Sequence, residues 1–202
     1  MSGNRRRIKL PEGNALRGMF RLIKGDAGGL RDFGNSPATF SASLAPLIAF
    51  PLVGAAWFAL SGHWMLALAM MLSRVTAVLL QPVVTEFVAM KAGRSQTWLM
   101  TSTALNWSIW LLPLLIFLAA LIANGLVTVG MGQSDAISIG ALSIFAYLFW
   151  IQGFILRTGL QLRWYTALAV VLALNFVILA ILYLPFAVHP DLLPLTLHPP
   201  AK

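Results

Sequence analysis

Five long apolar stretches constrain this chain more than any other feature of its sequence. They cover about residues 40–60, 64–90, 98–123, 137–156 and 164–186, and each has roughly the 20 residues that an α-helix needs to cross a bilayer. Of the 202 residues, 59% are hydrophobic and 10% are charged, against about 25% charged residues in soluble domains. This composition excludes a soluble globular domain, a disordered chain and a coiled coil. We predict an all-α polytopic transmembrane helical bundle of about five spans.

The same stretches divide the chain into three parts. Residues 1–39 form a basic N-terminal segment, residues 40–186 form the five-span domain, and residues 187–202 form a proline-rich tail that cannot span a membrane. Residues 1–13 carry a run of arginines together with proline and glycine, and we expect this piece to be disordered. Residues 25–37 are expected to form a glycine-rich connector.

Residues 14–24 have the pattern of a short amphipathic helix, with Asn14 as its cap and Gly25 as its stop. The apolar side chains that share one face are Leu16, Met19, Phe20 and Ile23, and the basic ones on another face are Arg17, Arg21 and Lys24. We expect the apolar face to lie in the lipid head-group layer, and the three basic residues to bind head-group phosphate.

The distribution of basic residues predicts how the chain threads the membrane. Eight of the 14 lysines and arginines lie in the first 31 residues, and four more lie in the short loops 91–96 and 157–163. Lys and Arg are enriched in cytoplasmic loops, so we expect a cytosolic N-terminus and an outer C-terminus. Beside a membrane, the net charge of +8 favours anionic lipids on the cytosolic side as partners, and not nucleic acid. Small size and short loops favour a bacterial inner membrane.

Arg74 is the most unusual residue of the spans. It follows the start of the second stretch by ten residues, which is about 15 Å into the membrane. A charge at that depth costs at least ~2.5 kcal/mol on insertion scales, so it requires a partner. Backbone carbonyls, Asn106, Asn175, another subunit or a lipid phosphate could serve. A satisfied structural arginine and a functional or subunit-contact residue both remain open at this stage.

The other polar residues of the spans are Glu86, Gln81, Asn106, Gln152 and Asn175. Glu86 is expected to form an ion pair with Lys91 or Arg94 at the inner interface, with proton handling as the alternative. Gln81, Asn106 and Asn175 lie at similar depths, so the three amides could form one hydrogen-bonded cluster between helices. Helix packing is the main interpretation of the amides, and a polar substrate path is the alternative.

Several local features carry a family resemblance. They are Leu44–Ala45–Pro46–Leu47 with Pro51, Thr101–Ser102 with the segment from Trp107 to Pro113, Gly153, and Trp164–Tyr165–Thr166. Together with the order of a cytosolic segment and five closely spaced spans, residues 20–186 resemble the YIP family of five-span membrane proteins. The acidic–Leu–Tyr–Gly–Pro signature of eukaryotic members is absent, which argues against a vesicle-trafficking role. The resemblance implies an integral scaffold or adaptor without catalytic residues.

The sequence contains no motif that specifies a reaction. It has no cysteine, and its three histidines match no metal-ligand spacing, so we expect no catalytic residue, metal or cofactor. The leading hypothesis is a non-enzymatic integral membrane protein that organises, assembles or regulates a membrane complex through helix–helix and lipid contacts. Its partners would be membrane lipids and other membrane proteins or further copies of the chain. The alternative is a small transporter or channel subunit with a polar path near Arg74, Asn106 and Asn175.

Overall fold

A computed structural model describes residues 14–188, and this range is helical without any strand. It contains seven α-helices, which are α1 Ala15–Ile23, α2 Pro37–Leu60, α3 Trp64–Lys91, α4 Trp98–Ser108, α5 Leu111–Thr128, α6 Gln133–Leu160 and α7 Trp164–Val188. Two 3-10 helices, Ala27–Phe33 and Ser95–Thr97, lie between them. The expectations for residues 1–13, and those for the tail from residue 189 onwards, fall outside the described residues.

Five helical segments are long and apolar enough to cross a membrane. They are Pro37–Leu60, Trp64–Lys91, Ser95–Thr128, Gln133–Leu160 and Trp164–Val188. The predicted all-α fold with five candidate spans is therefore confirmed, and it fits a multi-pass integral membrane protein. The loop between the third and fourth predicted stretches, 98–123 and 137–156, is shorter than those bounds imply, because α5 continues to Thr128 and α6 begins at Gln133.

The third span consists of two helices, and not of the single helix that its apolar run predicts. Pro113 has no N–H group, so it cannot donate to the carbonyl of Ile109 as a helical residue would. The N–H of Leu112 donates to that carbonyl instead at 3.1 Å, and the N–H of Trp110 donates to Trp107 at 3.1 Å. Both bonds join residues that are three apart and not four, so the α-helix is interrupted at Ile109 and Trp110, between α4 and α5. By contrast, α2 remains one helix although it contains Pro46 and Pro51.

The bundle is organised around α4 and α6. Helix α6 packs against α4, α5 and α7, and α2 packs against α3 and α4. The buried core includes Ala104 of α4, Ile151 and Ile155 of α6, and Val171 of α7. Helices α4 and α6 approach closely where Gly159 meets Thr101, since a β-carbon at Gly159 would overlap that side chain.

The connector after α1 is ordered, contrary to the expectation of a simple glycine-rich link. The Asp26 side chain caps the 3-10 helix by accepting a hydrogen bond from the N–H of Gly28 at 2.8 Å. A β-carbon at Gly29 would lie 2.7 Å from the carbonyl oxygen of Gly18, so only glycine allows this close packing on α1. Leu30 and Phe33 are buried, and their burial explains why the segment folds back.

Helix α1 docks on the side of the bundle. The Asn14 side chain accepts a hydrogen bond from the N–H of Arg17 at 3.0 Å, which confirms the predicted cap. Met19 and Leu22 are buried, whereas Leu16 and Phe20 are exposed. The hydroxyl of Tyr147, halfway along α6, donates to the carbonyl of Ile23 at 3.2 Å. Only part of the predicted apolar face is therefore free to meet lipid, because the other part packs on the bundle, where α1 contacts α4 and α6.

The N-terminal unit, residues 14–36, extends from the side of the bundle to the end that carries both basic loops. The Asn35 amide donates to the carbonyl of Gln96 at 2.7 Å and its oxygen accepts from the N–H of Met100 at 3.2 Å. The hydroxyl of Thr97 donates to the carbonyl of Gly159 at 2.8 Å. The basic segments of the chain that fall within residues 14–188 are thus gathered at one end.

Candidate functional site

A chain of buried polar side chains joins three helices. The Asn106 amide of α4 donates to the Ser43 hydroxyl of α2 at 2.9 Å, and its oxygen accepts from the Gln81 amide of α3 at 3.4 Å. Ser43, Gln81 and Asn106 have exposed fractions of 2%, 7% and 1%. Because these groups satisfy one another inside the bundle, they hold α2, α3 and α4 in register.

A second amide pair connects α6 and α7. The side-chain nitrogen of Asn175 donates to the Gln152 side-chain oxygen at 3.0 Å and to the carbonyl of Val171 at 2.8 Å. The three amides at similar depths, Gln81, Asn106 and Asn175, therefore do not form one cluster. Gln81 pairs with Asn106, whereas Asn175 pairs with Gln152. The expectation that Asn175 would join the first two was wrong, since depth along a helix does not specify which neighbour a side chain faces.

Helix α4 carries a further row of buried hydroxyls. Those of Thr101 and Thr103 donate to carbonyls one turn earlier, at 2.8 and 2.7 Å. The Ser102 hydroxyl is buried and has no hydrogen-bond partner within the described residues. Sequence analysis did not single out Ser43 or Ser102 as buried polar residues. Ser102 lies one helical turn before Asn106 on α4, and that spacing was the available signal for Ser102.

Arg74 lies on the exposed surface of α3. Ion pairs within residues 14–188 all involve Arg17 or Arg21, so Arg74 has no carboxylate partner there. No side chain or carbonyl of the described residues accepts a hydrogen bond from its guanidinium, and Asn106 and Asn175 are engaged elsewhere. The intramolecular partners considered for Arg74 are therefore not found in this part of the chain.

Two adjoining apolar grooves meet at Arg74. One, of about 260 Å³, lies between α2 and α3 and is lined by Gly54, Phe58 and Met70. The other, of about 320 Å³, is lined by Pro46, Val78 and the turn between α4 and α5. Both grooves include Phe50, Pro51 and Arg74. We call this combined surface the Arg74 groove.

One wall of the Arg74 groove contains the residues at the break in the third span. The rings of Phe50 and Trp110 meet edge to face with their centroids 5.4 Å apart, a favoured aromatic geometry. Trp110 and Pro113 reach the groove because the chain turns between α4 and α5. This wall was not predicted from the sequence, although the prolines in the first and third spans indicated that these helices could be bent or broken.

Glu86 does not form the expected ion pair. It is exposed on α3, and within residues 14–188 no basic group lies within 4.0 Å of its carboxylate. Lys91 instead places its ammonium group 5.6 Å from the centre of the Phe87 ring. Glu86 is one and a half turns before Lys91, so the two side chains leave α3 in different directions.

The three basic residues assigned to lipid head groups differ in their surroundings. Arg21 donates to Asp26 at 2.7 Å and to Asp32 at 3.0 Å, and these bonds hold the 3-10 helix against α1. The Arg21 guanidinium, helped by the Gly28 N–H, holds the pKa of the Asp26 carboxyl below its usual value. Arg17 is 4.0 Å from Asp32 with its side chain 70% exposed, and Lys24 is exposed. Arg21 thus has an intramolecular role in addition to any contact with lipid.

Comparison of the chain with protein-family models, with curated proteins and with solved structures gives no match. The resemblance to the YIP family therefore stays a prediction. The fold defines the class: the chain fits a multi-pass membrane protein with five candidate spans.

Proposed function

We propose that this chain is a non-enzymatic integral membrane protein that organises, assembles or regulates a membrane complex through helix–helix and lipid contacts. One observation carries the proposal. Arg74, the basic residue deepest inside a span, lies on an exposed surface and has no partner among residues 14–188. An arginine at such a depth needs an acceptor, and an acceptor from another molecule would satisfy it. The resemblance to YIP-type scaffolds agrees with this proposal.

The amides favour this function over the transporter alternative. A polar path would need Arg74, Asn106 and Asn175 to face one passage. Asn106 hydrogen bonds with Ser43 and Gln81, and Asn175 hydrogen bonds with Gln152. These contacts are the helix-joining bonds that a stable bundle uses. The grooves beside Arg74 are mostly apolar, which suits contact with lipid or with another membrane helix.

The proposed location is a bacterial inner membrane, with the N-terminus in the cytosol and the C-terminus outside. Support comes from the clustering of basic residues. Lys91, Arg94, Arg157 and Arg163 lie near the ends of α3, α6 and α7, beside the docked N-terminal unit. Cytosolic loops of membrane proteins carry such an excess of Lys and Arg.

A pull-down from native membranes tests the proposed function. The tagged full chain would be extracted in a mild detergent, and the proteins that follow it would be identified by mass spectrometry. We expect a defined set of membrane partners in fixed ratio to the chain. A homo-oligomer without other proteins would contradict the proposal and favour the transporter alternative.

A further inference from the structure

The surroundings of Arg74 indicate the chemistry of its partner. Apart from the guanidinium, the side chains of the Arg74 groove are apolar, and they include Phe50, Pro51, Trp110 and Pro113. One positive charge bordered by an apolar channel is complementary to a molecule with one anionic group and an apolar body. An anionic amphiphile has both parts.

The position of Arg74 along α3 brings a lipid head group within its reach. Helix α3 has 28 residues, so it is about 42 Å long against about 30 Å of hydrocarbon. With α3 centred in the bilayer, its first residues extend beyond the hydrocarbon, so the Arg74 backbone lies about 9 Å below the interface at the Trp64 end and not the 15 Å expected from the sequence. Helical side chains lean towards the N-terminus of their helix, which for α3 is the Trp64 end. A long arginine side chain crosses much of the remaining distance by snorkelling.

Aromatic residues mark the same end of the bundle. Trp57 and Trp64 are 71% and 64% exposed, and exposed tryptophans are enriched at the interface between membrane and water. The larger groove continues from Arg74 to Val78, one helical turn further from this end. A head group at Arg74 would therefore have the groove below it, on the side where the acyl chains of that leaflet lie.

The size of the groove favours a lipid chain over a protein helix. A helix with its side chains is 10–12 Å wide, whereas an acyl chain has the width of a single methylene group. The two grooves are small, with volumes of about 260 and 320 Å³, and small grooves suit the thinner occupant. The planar guanidinium of arginine also matches phosphate, with which it forms two parallel hydrogen bonds.

We propose that the Arg74 groove binds one anionic phospholipid, with the phosphate on the Arg74 guanidinium and an acyl chain along Phe50 and Pro113. The inference rests on the proposed function in one respect only, which is that Arg74 takes its partner from outside the chain. It adds the chemical class of that partner. Protein partners of the complex would then bind elsewhere on the bundle or through the lipid.

Native mass spectrometry of the full chain in mild detergent tests the proposal. The probes are phosphatidylglycerol, phosphatidylcholine and inorganic phosphate, each added separately. We expect one retained phosphatidylglycerol per chain in preference to phosphatidylcholine, and no adduct with inorganic phosphate. R74Q should lower phosphatidylglycerol retention about tenfold, the effect of losing a charge-assisted pair. R94Q removes an exposed arginine outside the groove and should change nothing.

A second variant tests the groove while keeping the charge. A β-carbon at Gly54 meets no atom within 4 Å, and the same holds for Gly125 of α5. Both glycines are helical, so G54L and G125L should both fold. G54L places its side chain in the groove and should reduce lipid retention, whereas G125L should not.

The outcomes separate this inference from the proposed function. Unchanged phosphatidylglycerol retention in R74Q and G54L would overturn the lipid site, and so would equal binding of inorganic phosphate. Loss of protein partners from R74Q with the lipid retained would also overturn the lipid site, and would support the proposed function. Loss of the lipid with every protein partner kept would support the lipid site and contradict a role of Arg74 in assembling the complex.

Discussion

The side-chain amide of Asn106 donates a hydrogen bond to the hydroxyl of Ser43 at 2.9 Å, and so connects the broken third span to the first. Asn106 lies three residues before Ile109, where the turn between α4 and α5 begins. The bond therefore holds α4 against α2 just before the chain turns towards the Arg74 groove. The buried amides stabilise the surface on which Arg74 is displayed.

N106A should destabilise the bundle by about 1–2 kcal/mol, because it removes two interhelical bonds and leaves the buried Gln81 amide without its partner, whereas Ser43 keeps its bond to the Phe40 carbonyl. For a chain of this size the midpoint of thermal unfolding in detergent should fall by about 2–8 °C. N124A provides the control, since Asn124 is exposed on α5. Equal midpoints for the two variants would contradict the structural role of Asn106.

The close contact between α4 and α6 leaves no room for a side chain at position 159. A β-carbon there would overlap the Thr101 hydroxyl, with the Cβ atom of Thr101 at 3.0 Å. G159A should therefore destabilise the protein by about 1–3 kcal/mol, although alanine is the better helix former. G125A meets no neighbour and should be neutral or stabilising. T101A should recover part of the loss in G159A, and a stable G159A would show that the helices are further apart.

The ion pair between Arg21 and Asp26 should make the N-terminal unit sensitive to acid. Its hydrogen bond from Arg21 lowers the pKa of Asp26 below 3.8 in the folded chain. The stabilisation is therefore present above pH 3.8 and is lost as the pH falls through the lower folded value. D26N should reduce the thermal midpoint at pH 7, and the difference from the unmodified chain should disappear at lower pH. In an R21Q background the effect of D26N should be much smaller, because only the Gly28 N–H then still lowers the pKa of Asp26. A pH-independent difference would exclude the ion pair as its cause.

The absence of cysteine allows a direct test of the threading. Ser95 lies at the end that carries the N-terminal unit, and Ser134 lies at the start of α6 at the other end. Both are exposed. A membrane-impermeant thiol reagent should label S134C in intact cells and S95C only after the membrane is opened. Labelling of both from the same side would contradict five spans.

The parts of the fold that depend on residues close together in the sequence were predicted correctly. Apolar length determines a span and the Asn14 side chain determines a cap, so both were predicted correctly. The pairing of Asn175 with Gln152 depends on how each helix is rotated about its axis, which depth alone does not specify. The bonds from Arg21 to Asp26 and Asp32 depend on a glycine-mediated approach of the 3-10 helix to α1. The Arg74 groove was not predicted, because its aromatic wall comes from a different span.

The central claim is that Arg74 helps to assemble the membrane complex through a partner that another molecule supplies. The most direct test is a quantitative pull-down that compares the unmodified chain with R74Q and, as a charge-matched control, R94Q. We expect R74Q to accumulate and fold normally, while the amount of co-purified membrane partners per chain falls, and R94Q to keep them. Equal recovery of the same partners from all three chains would contradict the proposed role of Arg74.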